Sequence, residues 1–330
     1  MKAMVLDSYG ENSIFNVKEI AEPKIGTNQV LVKVVASSVN PVDCKIKKGL
    51  LSVGPTLPAV IHGDMSGEVV RVGQSVTNFK KGDLVFGCVG GFGDLPGVLS
   101  EYVAVDAQLI SQVPDNLSLE EAAVLPLVGI TAWNGLVDRV KIVQSSKVLI
   151  HAGAGGVGHI GIQLAKILGA EVHTTISSDK KISLSKEIGA DVCINYNDMD
   201  VEEYTLEYTR GIGYDVVFDT VGGCCLDDSF KSARIGGSVV SIASRSIHDL
   251  TIVHTKSLSL HVVFMLLPIL SGEGRQAHGN ILGKLKKYVE SGKLMPKLHS
   301  KRFSFEEVED AHLCWSEEDV MGKISLVSNW

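Results

Sequence analysis

The chain is poor in the features that usually signal a specialised scaffold. Its 330 residues include six cysteines, Cys44, Cys88, Cys193, Cys224, Cys225 and Cys314, and no two are spaced as C-x-x-C. The usual thiolate spacing of zinc sites is therefore missing. Cys224 and Cys225 read as small residues near a helix start. There is no basic stripe, and the net charge is -7. Aromatics make up only 6% and do not interleave with basic residues, so no nucleic-acid partner is expected. The first residues lack a basic and then apolar leader, and acids appear early at Asp7 and Glu11. No signal peptide is expected, and the setting is read as reducing and cytoplasmic. The longest apolar run, Leu258 to Leu270, carries His261 and Pro268 and falls short of the ~20 residues a membrane helix needs. It reads as a buried edge-forming strand, with no membrane role. Repeats, low-complexity segments and long linkers are all missing. Hydrophobic residues at 45% and charged residues at 21% describe an ordinary globular chain, long enough for two cores.

The most informative stretch runs from Lys147 to Ala170, KVLIHAGAGGVGHIGIQLAKILGA. Val148 to Ile150 read as a strand, and Ile160, Leu164, Ile167 and Leu168 follow at helical spacing. Between them Gly153, Gly155 and Gly158 spell G-x-G-x-x-G. One glycine serves the sharp turn, one lets a pyrophosphate approach the backbone, and one lets helix pack on strand. The N–H groups of Gly156, Val157 and Gly158 would open the helix and face an anion. A glycine motif alone is weak evidence, but here strand and helix flank it as dinucleotide binding requires.

Residues 1 to 122 read as β-rich, with short strand candidates at Met4–Leu6, Val30–Val35, Glu68–Val72, Leu84–Cys88 and Glu101–Val105. Glycines punctuate them, which suggests a small barrel or sandwich. Ser118 and Glu121 form a capping box ahead of a helical segment, Leu119 to Val137, which Pro126 should break or kink. Beyond the glycine turn, strands are expected at Val172–Thr175, Val192–Ile194, Val216–Asp219, Ser238–Ile242 and Leu258–Phe264. Helices alternate with them at Lys180–Ile188, Val201–Arg210 and Leu226–Ala233, with Ser178 and Asp200 as N-caps. This alternation predicts an α/β doubly wound parallel sheet in the order 3-2-1-4-5-6. A basic amphipathic helix at Ile281–Val289 reads as a solvated face. The tail, with a helix at Phe305–Trp315 and a strand at Lys323–Val327, is expected to pack on the first domain.

Several stretches in order carry a resemblance: NPVDCKIKKG (Asn40–Gly49), GDMSGEVVRVG (Gly63–Gly73), KKGDLVFG (Lys80–Gly87), EAAVLPLVGITAW (Glu121–Trp133), HAGAGGVGHIGIQLAK (His151–Lys166), DVVFDTVGG (Asp215–Gly223) and MGKISL (Met321–Leu326). The chain resembles the medium-chain dehydrogenase/reductase superfamily, and within it the zinc-free quinone oxidoreductase (zeta-crystallin-like) branch. The resemblance implies a GroES-like catalytic domain over residues 1–122, completed by 267–330, and a Rossmann dinucleotide-binding domain over 123–266. It also implies an active-site cleft where the two meet and a homodimer joined edge to edge through the last Rossmann strand. The activity implied is NADPH-dependent reduction of quinones or α,β-unsaturated carbonyls. The alternatives are a zinc-dependent alcohol dehydrogenase, or a non-catalytic NADPH-binding protein of crystallin-like or RNA-interacting type.

Zinc-dependent relatives hold their metal with an early cysteine and a Gly-His-Glu motif. Here Asn40-Pro41-Val42-Asp43 and His62-Gly63-Asp64 stand in those places, so no metal is expected. Cys44, His62 and Asp64 form the only conceivable set. For the cofactor, Ile176 takes the position where NAD enzymes place a ribose-binding acid. Ser177 and Lys181 could instead bind a 2′-phosphate, and the resemblance adds Tyr196. Asp179 is the counter-indication, read here as an acid at a helix start. The resemblance places Asn40 near the nicotinamide and Thr131 on its ribose or the pyrophosphate. Val221, Gly222, Ser241 and Ile242 would line the nicotinamide through backbone contacts. Asp43 and Asp64 would orient the substrate or relay a proton, or form a structural ion pair.

Overall fold

The computed structural model describes residues 1–330. The chain divides into two compact units, Met1–Ile130 with Leu266–Trp330, and Thr131–Met265.

The first unit is built on a seven-stranded, mostly antiparallel sheet. Its central strand, Gln29–Ser38, pairs with Asp64–Val72, Tyr102–Asp106 and the tail strand Lys323–Val327. Leu84–Cys88 and Ile110–Gln112 extend one side, and Leu298–Ser304 forms the opposite edge. A separate hairpin joins Lys2–Leu6 to Phe15–Glu19. The tail therefore returns to the first unit as an integral strand. The capping box at Ser118 and Glu121 starts a helix that stops at Ala123, and a new helix begins at Pro126. Proline cannot supply the N–H that would continue the first helix, and it sits well at a helix start.

The second unit is a six-stranded parallel sheet. Its strands, in chain order, are Lys147–Ile150, Glu171–Ile176, Val192–Asn195, Tyr214–Asp219, Ala233–Ser241 and Ser259–Val262. They lie in the spatial order 3-2-1-4-5-6 that the alternation predicts. One layer of core packs Tyr204 of helix Val201–Thr209 and Leu226 and Phe230 of helix Cys224–Ser232 onto Leu149, Ile194, Val217 and Val239. Asp200 caps its helix with a reciprocal box to Glu203. The cap of helix Lys180–Glu187 falls on Asp179 rather than Ser178.

A second expectation is corrected. The apolar run Leu258–Leu270 supplies an edge strand as foreseen, but the edge is not buried: Leu260, Val262 and Phe264 are 37%, 49% and 44% exposed. The run then turns into a short helix, Leu267–Ser271. An apolar run shows that a segment avoids water, but not whether its own chain supplies the cover.

Candidate functional site

All five loops of interest in the second unit leave the carboxyl ends of its strands, where ligands bind in open parallel sheets. The first is the glycine turn. It leaves strand Lys147–Ile150 and enters helix Gly156–Ile167, with Gly155 at the N-cap. A Cβ on Gly153 would lie 2.0 Å from Thr174 Oγ1, and one on Gly158 would lie 2.2 Å from the Ala152 carbonyl oxygen. Neither position admits a side chain, and the turn can close only as glycine. Gly155 is less confined, its nearest neighbour being the same carbonyl oxygen at 3.1 Å. The first intrahelical bond joins the His159 N–H to Gly155. The N–H groups of Gly156, Val157 and Gly158 therefore have no partner within the helix and point toward its open end.

At the end of the second strand, Lys181 Nζ donates to Ser177 Oγ at 2.8 Å, and Asn197 Nδ2 donates to the Ser177 carbonyl at 2.8 Å. Tyr196, at the end of the third strand, is half exposed. The structure thus joins the ammonium and the hydroxyl that sequence pairs as a phosphate site. Ile176 is buried at the strand end, and Asp179, the counter-indication, stands exposed at the N-cap of helix Lys180–Glu187.

At the ends of the fourth and fifth strands the organiser is Asp219, which sequence reasoning passed over. Its Oδ1 accepts the N–H groups of Val221 (2.9 Å) and Gly222 (2.8 Å), and its Oδ2 accepts Ser241 Oγ at 2.9 Å. One buried carboxylate thereby fixes both loops. Gly222 has φ +80°, and a Cβ there would strike the Ala243 carbonyl at 2.2 Å. Ile242 is tied back by its N–H to the Asp219 carbonyl at 3.2 Å. Thr131 is buried in helix Pro126–Trp133.

The first unit gathers Asn40, Asp43 and Asp64, all fully buried, around a group not foreseen as functional: the ammonium of Lys323. Lys323 Nζ donates to the carbonyl of Val39 and to Asn40 Oδ1, both at 2.5 Å. Asn40 Nδ2 donates to Asp64 Oδ2 at 2.9 Å, and Ser38 Oγ donates to the same oxygen at 2.9 Å. The other Asp64 oxygen accepts the Leu127 N–H at 2.8 Å. Asp43 Oδ2 accepts the Asn40 N–H at 2.9 Å, while its Oδ1 has no partner. Burial pushes the Asp43 carboxyl up to about 7, against the opposing pull of the Asn40 N–H and of Lys323. Burial also raises Asp64 and lowers Lys323. Beside them His62 Nδ1 lies 3.0 Å from the Ser38 carbonyl, which can only accept. The proton is therefore on Nδ1, and Nε2 accepts from His312 Nε2 at 2.9 Å. The only sequence signal for Lys323 is a lysine at the head of a mostly apolar strand, KISLV.

Residues 26–115 match the alcohol dehydrogenase GroES-like domain family, and residues 156–271 match the zinc-binding dehydrogenase family. The NADPH-dependent alkenal/one oxidoreductase, chloroplastic, of Arabidopsis thaliana is 36% identical, with 98% of this chain aligned to 78% of that protein. The chain belongs to the medium-chain dehydrogenase/reductase family.

Other members of this family agree. The 2-methylene-furan-3-one reductase of Solanum lycopersicum is 36% identical over 99% of this chain and 79% of its own. Among solved structures, an alcohol dehydrogenase superfamily protein from Novosphingobium aromaticivorans superposes with a TM-score of 0.94 at 36% identity, covering 99% of both chains. Escherichia coli quinone oxidoreductase complexed with NADPH gives a TM-score of 0.87 at 25% identity, over 99% of this chain and 100% of that one. Zinc-using members of the medium-chain dehydrogenase/reductase family need free donor atoms, and the residues here do not fit. Both ring nitrogens of His62 and both oxygens of Asp64 already hold partners. The Cys44 thiol is buried and its pKa is driven far up, chiefly by desolvation and then by Asp43, so the thiolate a metal requires is disfavoured. A divalent ion would also meet the resident Lys323 ammonium.

Proposed function

We propose that this protein is an NADPH-dependent oxidoreductase that reduces quinones or α,β-unsaturated carbonyl compounds without a metal. The observation that carries the reading is the glycine turn, closed too tightly for any side chain at Gly153 and Gly158, with the Ser177–Lys181 pair at the next strand end. Bound NADPH would supply the hydride, two electrons and one proton's mass, to the electrophilic carbon of an acceptor that is already polarised. The chain supplies orientation, which is worth a large part of such a barrier. The helix N-terminus at Gly156, Val157 and Gly158 would hold the pyrophosphate. Lys181, Ser177 and Tyr196 would hold the 2′-phosphate. The Asp219-braced backbone at Val221, Gly222, Ser241 and Ile242 would hold the nicotinamide, with Thr131 on its ribose. Asn40, Asp43 and Asp64 act as positioning residues, because their polar atoms are buried and mostly engaged with one another. The proton that completes the reduction comes from solvent.

The first unit is read as the GroES-like catalytic domain and the second as the Rossmann domain. The exposed apolar edge at Leu260, Val262 and Phe264 supports a homodimer, in which two such edges cover one another. No helix is long and apolar enough to cross a membrane. The six cysteines are unpaired, which supports a reducing compartment such as the cytoplasm. The test is NADPH oxidation by a panel of quinones, enones and enals, with products identified by mass. Turnover of at least one class with retention of two extra hydrogens in the product is expected. Tight NADPH binding with no turnover across the panel would sink the reading.

A further inference from the structure

The sheet edge farthest along the tail carries a second cluster, distinct from the Lys323 network. His299 lies on the edge strand Leu298–Ser304, and Cys314 and Glu318 lie at the end of helix Val308–Glu317. One donor atom from each, an imidazole nitrogen, a thiol sulfur and a carboxylate oxygen, lies within 4.8 Å of the other two. The local geometry explains the convergence. Cys314 and Glu318 are one helical turn apart, joined by the Glu318 N–H to the Cys314 carbonyl at 3.1 Å, and so share a face. His299 and Lys301 lie where the pairing of the edge strand with Lys323–Val327 is irregular, between Leu298 and Arg302, and Lys301 ion-pairs with Glu318.

We propose that His299, Cys314 and Glu318 form a binding site for a thiophilic divalent cation, Zn²⁺ in the first instance. Nitrogen, sulfur and oxygen donors in this ratio suit zinc, which accepts three protein ligands and completes a tetrahedron with water. Ligand atoms on such a centre stand about 3.3–3.6 Å apart, given bond lengths of ~2.0–2.3 Å. The exposed Glu318 carboxylate and the half-buried His299 ring need to move by about an ångström to reach it. On binding, the S–H bond of Cys314 breaks, a sulfur–zinc bond forms and the proton leaves to solvent. Glu318 exchanges Lys301 for the metal. The ion would clamp the edge strand to the last helix. Cys314 is 4% exposed, so entry is from the Glu318 side.

The experiment titrates the full-length protein with Co²⁺, followed by displacement with Zn²⁺. The expected result is a thiolate-to-cobalt charge-transfer band in the near ultraviolet that saturates at one equivalent, with roughly one proton released per ion. Cys314→Ser should abolish the band. His299→Ala and Glu318→Gln should each weaken binding about tenfold or more, and Lys301→Met, by removing the competing ammonium, should tighten it. If Cys314→Ser does not fold, the two exposed-side variants decide. The proposal is overturned by the lack of a band at millimolar Co²⁺, by a band that survives Cys314→Ser, or by unchanged affinity in both His299→Ala and Glu318→Gln. Each readout is independent of NADPH turnover.

Discussion

Lys323 illustrates how one side chain can set the charge of a site. Its ammonium is buried with two carboxyls whose ionised forms have lost water, and each group is tolerable only because the others are present. Replacing one member of such a set leaves uncompensated charge, at a cost of about 3–5 kcal/mol. Lys323→Met should therefore lower the free energy of unfolding by that order in a urea titration. Adding Asp64→Asn should restore part of the loss, because the neutral amide no longer needs the cation. A loss under 1 kcal/mol would show that the acids are not held as charges. At the other site, the Lys181 ammonium donates to the Ser177 hydroxyl. Lys181→Ala should weaken NADPH binding about ten- to a hundredfold, the worth of a charged hydrogen bond, and leave NADH nearly unaffected. Fluorescence titration with both coenzymes measures the ratio, and equal losses would remove the phosphate role.

Among the elements, the glycine turn carries its requirement in its own backbone, and it was legible for that reason. Gly158→Ala forces a methyl into the Ala152 carbonyl and should destabilise the unit by about 1–3 kcal/mol while abolishing coenzyme binding. Gly155→Ala meets only a 3.1 Å neighbour and should fold like the parent. Many strands and helices of both units were legible for a similar reason, because apolar spacing and capping residues act within a few positions, but strands Phe15–Glu19, Ile110–Gln112 and Leu298–Ser304 and helix Pro41–Lys47 were not read. In the first unit Asn40, Asp43 and Asp64 were named through the resemblance, while Lys323 and His312 were not. His62 and His312 are 250 residues apart, and nothing local to either announces the other. Their contact has a pH signature. Burial lowers His62 to about 4, and burial together with His62 lowers His312 well below the usual range. Both rings are neutral when folded and titrate near 6.5 when unfolded. Stability from this pair is complete above about pH 6.5 and is lost as pH falls through 4. Melting temperature should drop over that interval, and His312→Gln should flatten the slope. An unchanged slope would place the acid sensitivity elsewhere.

For the whole molecule, composition was enough to exclude a membrane helix but not to say whether the apolar edge meets solvent or a second copy. A charge set into that edge distinguishes the two. Val262→Lys should convert a dimer into a single chain by sedimentation velocity, with coenzyme binding retained, whereas a parent protein already monomeric at micromolar concentration would end the dimer reading. The placement of Lys323 has a further effect on how the protein is made. Its partner Asn40 lies 283 residues earlier, so a ribosome adding ~5–20 residues per second exposes the acid pair roughly 15–60 s before its counter-ion emerges. During that interval the nascent first unit lacks both a central strand neighbour and its charge balance. Its completion waits until the strand Lys323–Val327 has been made, and a product truncated before that strand would carry the same deficit.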